Sequence, residues 1–198
     1  FVVPAPMARP LITCGVINDH FKLKGVSEKA ARLVNDKKAF NQLMSNIEIK
    51  VAKQKEITGQ KSLENAVQEL GLPFVIKPRS GSGSRNVRLI MSKGELPLKF
   101  DRGFLAEQSL KGQEYGVDGF ILNNRVRILS VRKKSLTPPP YRQAVSYFVE
   151  NPALLRHLNE IITTLEKALT ALESNDVIFH SDIMMTKNGK VSLIELSP

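Results

Sequence analysis

Residues 177–198, VIFHSDIMMTKNGKVSLIELSP, read as a β-hairpin that brings two carboxylates to one place. The first strand is predicted over Val177–Met185, Asn188-Gly189 is a two-residue turn of the kind that takes positive φ at both positions, and Val191–Glu195 returns. At a side-chain period of two, Asp182 and Met184 share a face, as do Leu193, Glu195 and Ser197. Pairing about the turn sets Asp182 opposite Glu195, near enough to share an ion. Two carboxylates are what a hard cation such as Mg²⁺ shares with phosphate oxygens. From the hairpin alone, two solvated surface carboxylates are the other reading.

Working back from the hairpin, Leu72-Pro73-Phe74-Val75-Ile76-Lys77-Pro78-Arg79 is an apolar strand closing on a lysine. Ser80-Gly81-Ser82-Gly83-Ser84-Arg85-Asn86 follows, then a second strand over Val87–Met91. A Gly/Ser loop lets backbone N–H groups approach an anion, and Lys77 at its base adds a point charge suited to phosphate. No Gly-Lys-Ser/Thr closes the loop and no helix follows it, so it is neither a P-loop nor a dinucleotide fingerprint. A strand–loop–strand flap over phosphates and a plain surface hairpin both fit these residues.

Between these segments a strand ends at Glu107, and a second begins near Glu114 after Gln108-Ser109-Leu110-Lys111-Gly112-Gln113. Backbone after Glu107 is suited to an adenine edge and Glu114 to ribose hydroxyls; either glutamate alone also reads as a solvated charge.

Taken in order, these pieces resemble the ATP-grasp superfamily, the carboxylate–amine ligases that include D-alanine–D-alanine, L-amino-acid and carbamoyl-phosphate enzymes. Asp36-Lys37 is similar to the Asp-Lys that opens the ATP-grasp domain, and Phe74–Pro78 to its second phosphate-lysine strand. Ser80–Asn86 resembles the flap, Glu107–Leu110 with Gly112–Tyr115 the hinge, and His180–Asp182 with Ile194–Pro198 the metal hairpin. The resemblance implies an α+β ATP-grasp fold whose two sheet-bearing lobes clamp nucleotide, truncated at both ends. Residues 1–27 would then end a preceding domain, and 28–198 form the ATP-grasp domain, with a small flap lobe over about 45–108 and a larger lobe over about 109–198.

The function implied is an ATP-dependent ligase in which Mg-ATP activates a substrate carboxylate as an acyl phosphate for attack by an amine; a non-catalytic ATP-binding module of the same fold is the alternative. By the same resemblance Lys37, Lys77, Ser82, Gly83, Ser84, Glu107, Gln108, Leu110 and Glu114 contact ATP, and Asp182, Glu195 and Ser197 hold Mg²⁺ (or Mn²⁺). Arg132 and Lys134, alternating with Lys133 on a strand over 125–134, are the catalytic candidates for the γ-phosphate, a structural ion pair being the other reading. Ser197 stands where the family usually has asparagine, and no arginine follows Pro198 in this sequence.

Composition agrees. The formal charge of +10 suits an anionic partner. Its lysines are spread out and the aromatics form no stacking platform, which argues against nucleic acid. No run of 18 apolar residues or secretory leader is visible, so a cytoplasmic protein acting on small-molecule carboxylate and amine substrates is expected, with homo-oligomerisation open. The single Cys14 excludes an internal disulfide and reads as a small buried hydrophobe. His20, His157 and His180 show no zinc spacing, and His180 shares the strand face of Asp182.

The remaining elements are read coarsely. Residues 1–27 carry a strand at Phe1–Pro6 and extended or irregular segments, and Ser27 caps a helix over Glu28–Val34. A second helix places Lys37 in its first turn; 62–70 is a helix stopped by Gly71, and a long helix runs from Asn151-Pro152 to about Glu173. Ser135–Arg142 reads as a stiff exposed loop.

Overall fold

A computed structural model of the chain describes residues 9–97, 103–152, 155 and 157–198. The expected strand at Phe1–Pro6 lies outside them. Two compact units are present. One takes in the described residues through Val51, Lys111–Lys134 and Tyr147–Pro198, and the other comprises Ala52–Leu110 and Ser135–Ser146.

In the first unit, α1 (Arg9–Phe21), α2 (Glu28–Asn35) and α3 (Lys37–Asn46) precede the sheet. Ser27 caps α2 by accepting from the Ala30 N–H at 3.1 Å. Asp36 caps α3, accepting from the Lys38 and Ala39 N–H groups, which leaves Lys37 as the first residue of that helix. The α1 helix corrects the extended reading of residues 9–21. Its β-branched content, Ile12, Thr13, Val16 and Ile17, argues locally for a strand. Burial of Leu11, Cys14, Gly15 and Asn18 has helical spacing and wins through packing. A Cβ on Gly15 would come within 2.6 Å of the Glu28 backbone, so α1 and α2 touch along bare backbone there.

A five-stranded sheet, most of it in this unit, has the order β7-β6-β5-β8-β9, formed by β5 (Gln113–Leu122), β6 (Arg125–Leu136), β7 (Ala144–Glu150), β8 (Val177–Met185) and β9 (Val191–Ser197). The β7 strand was not anticipated, and β6 runs on through Leu136, shortening the Pro-rich loop to residues 137–143. The last helix, α5 (Leu158–Ala171), starts later than expected. It buries Ile161, Leu165, Ala168 and Leu169 against one face of the sheet with Val117, Ile121, Phe179, Ile183, Leu193 and Leu196. Leu154, within the helix read from sequence, lies outside the described residues.

The second unit holds a four-stranded sheet, β1 (Gln54–Ile57), β4 (Phe104–Gln108), β2 (Phe74–Pro78) and β3 (Arg88–Ile90), in the order β1-β4-β2-β3. Helix α4 (Gln60–Leu70) covers one face through Leu63 and Ala66, packed with Ile57, Phe74, Ile76, Ile90 and Ala106. It starts two residues before the expected Ser62. Ser62 sits inside its first turn and accepts from the Thr58 and Gly59 N–H groups. At the other end Gly71 takes φ +71, the left-handed stop that the sequence indicated.

Among the described residues no helix is long and apolar enough to cross a membrane.

Candidate active site

The hairpin is β8–β9, and Asp182 pairs with Glu195 across it. The turn differs from expectation: of Asn188 and Gly189 only the glycine has positive φ, at +82. The Thr186 N–H donates to the Lys190 carbonyl at 3.0 Å and the Gly189 N–H to the Thr186 carbonyl at 2.9 Å, which makes a three-residue loop. A second correction concerns faces. Ile183 pairs with Leu193 whereas Asp182 pairs with Glu195, so Ile194 is the extra residue of a bulge. Leu193 and Leu196 both enter the core, three residues apart, and Glu195 lies with Asp182 on the opposite face. Strict alternation would have grouped Glu195 with Leu193. Ser197 pairs with His180 on that same outer face.

The register extends this face over two more strands. Glu114 pairs with Met184, Gly116 with Asp182 and Asp118 with His180, and on the other side Gly116 pairs with Arg132. The result is a charged row. The Lys134 Nζ lies 2.6 Å from Asp182 Oδ2 and 3.3 Å from Glu114 Oε1, with the lysine side chain only 8% exposed. His180 Nδ1 is 2.8 Å from Asp118 Oδ1, and its Nε2 is 3.1 Å from Asp182 Oδ1. Arg132 Nη2 is 2.5 Å from Asp118 Oδ2, and its guanidinium carbon lies 5.5 Å from the centre of the Tyr147 ring. Arg132 Nε is buried with no acceptor among the described residues. Gly116 forms the floor of the row, since a Cβ there would meet His180 Cε1 at 3.3 Å, Lys134 Cε at 3.5 Å and Asp182 Oδ1 at 3.7 Å.

These contacts set the charge states. Burial opposes ionisation of Asp182, but the hydrogen bond from His180 and the charge of Lys134 outweigh it and hold the carboxyl below its ordinary range. His180 is pushed up, chiefly by its hydrogen bond to Asp182 and against the cost of burial, with Asp118 adding to the effect. An ionised carboxylate can only accept, so with one at each ring nitrogen the imidazole binds best as the cation. Lys134 is also pushed up: burial lowers it, and Asp182 with Glu114 more than reverses that. Asp182 therefore does not face Glu195 as a bare negative charge, because Lys134 and His180 already compensate it.

The outer face of the four-stranded sheet carries a separate polar set. Lys77 Nζ lies 2.6 Å from Glu107 Oε2, with the two side chains 8% and 10% exposed. Gln54 donates to the other Glu107 oxygen. Arg79 Nη1 is 3.3 Å from Glu56. Gln108 is exposed and its N–H donates to the Lys53 carbonyl at 2.9 Å, while Ser109 and Leu110 leave the strand half-buried. In the flap, Gly83 and Ser84 have φ of +69 and +54, Ser82–Ser84 are exposed, and space around Gly81 and Gly83 is open.

Of the residues singled out from sequence, Arg132, Lys134, Glu114, Asp182, Glu195 and Ser197 thus share one sheet face. Lys77 and Glu107 are joined as a pair in the other unit, and Lys37 opens α3. Asp118 and Gly116 were missed. Their signal was the two-residue step from Glu114 along a strand, which places all three on one face.

The chain matches the family model of the ATP-grasp domain over residues 98–198, and that of the carbamoyl-phosphate synthase L chain, ATP binding domain, over residues 36–126. It is 23% identical over 226 residues to alanine–anticapsin ligase of Bacillus amyloliquefaciens, covering 98% of this chain and 46% of that protein. The crystal structure of an L-amino acid ligase from Bacillus licheniformis superimposes with a TM-score of 0.77 at 19% identity, over 93% of this chain and 45% of that one. D-alanine–D-alanine ligase from Bacillus anthracis, complexed with ATP, does so with a TM-score of 0.73 at 18% identity, over 96% and 65%. At such identity the structures establish a common fold. The chain spans about half the length of the curated ligase relatives that it matches along nearly its whole length.

Proposed function

The chain belongs to the ATP-grasp family, and we propose on that premise that it carries the ATP-binding and activating part of a carboxylate–amine ligase. In this reading a substrate carboxylate oxygen attacks the γ-phosphorus of ATP and ADP leaves, giving an acyl phosphate. An amine then attacks the acyl carbon, and inorganic phosphate departs with the C–O electrons. Such chemistry asks for positioning and charge neutralisation more than for a side-chain nucleophile. The reading is carried by one observation: the Asp182–Glu195 pair shares a sheet face with Lys134 and Arg132.

Lys134 and Arg132 would meet the transferring phosphoryl group, and Lys37 and Lys77 the other phosphates. Ser82, Gly83 and Ser84 would supply flap N–H groups, with Glu107, Gln108 and Leu110 at the adenine and Glu114 at the ribose. Residues 28–198 would form the ATP-grasp domain, and a protein consuming ATP with one buried thiol, Cys14, belongs in the cytoplasm.

Asp182 and Glu195, with Ser197 beside them, would hold Mg²⁺ or Mn²⁺. Their fit is chemical: two hard oxygen donors on paired positions are the number such an ion shares with phosphate. Among the described residues no group of three His, Cys, Asp or Glu side chains forms a closed protein cage. Once bound, the ion would neutralise charge on the transferring phosphate. Lys134 and His180 hold both Asp182 oxygens, so they keep the carboxylate ionised and oriented until a phosphate-bearing ligand draws Lys134 away. That double engagement also favours the second reading, a nucleotide-binding module without transfer.

Hydroxylamine trapping separates the two. Incubation with ATP, magnesium and a panel of carboxylic acids should release ADP and yield a hydroxamate for some acid. ATP binding with neither product from any acid would leave only the module.

A further inference from the structure

The outer face that carries the charged row continues, one strand step further on, into an apolar patch. No register break separates them on β5 and β8: Asp118 pairs with His180 and the next outward pair is Phe120 with Ile178. Phe120 also pairs with Arg127, and Leu122 with Arg125. Ile178 is 66% exposed and Leu122 49%. Leu129, the extra residue of the β6 bulge beside Asp118, is 62% exposed. Arg125 and Arg127 are exposed and make no ion pair among the described residues. Large apolar side chains gathered on an open sheet face are unusual on a protein surface, and two arginines beside them give the patch a charge preference.

We propose that this patch is the binding surface for the body of the acid substrate, and that the substrate class is a small carboxylic acid with an apolar side chain. The inference rests on the ligase reading and adds what that reading lacks, the kind of acid. A carboxylate delivered to the part-exposed guanidinium of Arg132, which is paired with Asp118, sits at the level of Asp118. Two residues of strand advance about 7 Å, so a chain of a few carbons reaches Phe120 and Ile178 from there. Apolar contact with Ile178, Phe120 and Leu122 then selects the side chain, and Arg125 and Arg127 repel cationic acids while attracting anions. Short polar acids reach the charged row without covering the patch.

The test uses 3-phenylpropanoate, its uncharged amide and acetate as probes, read by saturation-transfer NMR on the chain with ATP and magnesium present. Mg-ATP binding is measured separately by thermal shift. Binding of 3-phenylpropanoate at least tenfold tighter than either comparison probe is expected, with a loss of fivefold or more in Ile178→Asp and in the fold-sparing Ile178→Thr. The ATP shift should be unchanged in both variants. If ATP binds but 3-phenylpropanoate binds no better than acetate, the patch assignment falls while the ligase reading stands; if ATP does not bind, both fall. A patch serving self-association would instead give a concentration-dependent sedimentation coefficient that Ile178→Asp abolishes, with no probe preference, and would also overturn the proposal.

Discussion

Asp182 lies directly across the hairpin from Glu195, and the two differ in what surrounds them. Asp182 has a lysine on one oxygen and a histidine on the other, whereas Glu195 makes no ion pair among the described residues. The pair is thus one carboxylate compensated by Lys134 and His180 beside one that makes no ion pair.

Lys134 is the only lysine touching both Asp182 and Glu114 among the described residues, and all three are largely buried. Removing one partner of a buried pair leaves uncompensated charge, which costs about 3–5 kcal/mol. Lys134→Met should therefore lower unfolding stability by about 3 kcal/mol in urea titrations. Stability within about 0.5 kcal/mol of the parent, the range of ordinary surface changes, would mean that water reaches the cluster freely.

Lys77 and Glu107 make a second buried pair, so Lys77→Ala is not a silent probe of phosphate binding. The single variant should lose about 3 kcal/mol of stability for the same reason. The double variant Lys77→Met with Glu107→Leu should recover most of it, because two apolar groups replace two charges. Calorimetry on the double variant then isolates ATP affinity, expected to fall by about 1.5–3 kcal/mol for a lost hydrogen bond to a charged partner. Unchanged affinity would remove Lys77 from the phosphate site.

His180 supplies a pH signature. Its folded value is raised above the ordinary 6.5, so the stability that it contributes is fully present below about pH 6.5 and is lost as pH rises through the raised folded value. The melting-temperature difference between the parent and His180→Gln should be largest in acid and shrink across that window. A difference independent of pH would show that the imidazole stays neutral between Asp118 and Asp182.

Much of this architecture was legible in the sequence because local and tertiary signals agreed. The cap at Ser27 and the stop at Gly71 each fixed an end, Lys37 falls in the first turn of its helix as read, and the strand carrying Lys77 read correctly. Where signals disagreed, packing decided. Helix α1 overrode its β-branched residues, and the Ile194 bulge put Glu195 on the face that simple alternation denied it. Gly116 and Asp118 escaped notice because their importance lies in what the neighbouring strands bring to them. Strand β7, sequence AVSYFVE, escaped because it is an edge strand with most of its apolar side chains exposed, and its residues lack a clean half-buried alternation.

The close approach of α1 to α2 at Gly15 is testable. A Cβ at Gly15 would lie 2.6 Å from the Glu28 nitrogen, and backbone cannot step aside as a side chain can. Gly15→Ala should cost about 1–3 kcal/mol despite the better helix propensity of alanine. A stabilised variant would mean that α1 does not pack on α2 as described.

Whether Asp182 and Glu195 together hold a divalent ion against ATP is decided by a thermal-shift comparison. The parent chain and Glu195→Gln are each melted with ATP in EDTA and with ATP plus magnesium. Glu195→Gln should melt like the parent without ligand, since Asp182 is already neutralised, and should keep the shift given by ATP alone. It should lose the additional shift that magnesium gives the parent. A Glu195→Gln protein that retains the magnesium-dependent shift would mean that the hairpin carboxylates hold no ion and are ordinary surface charges.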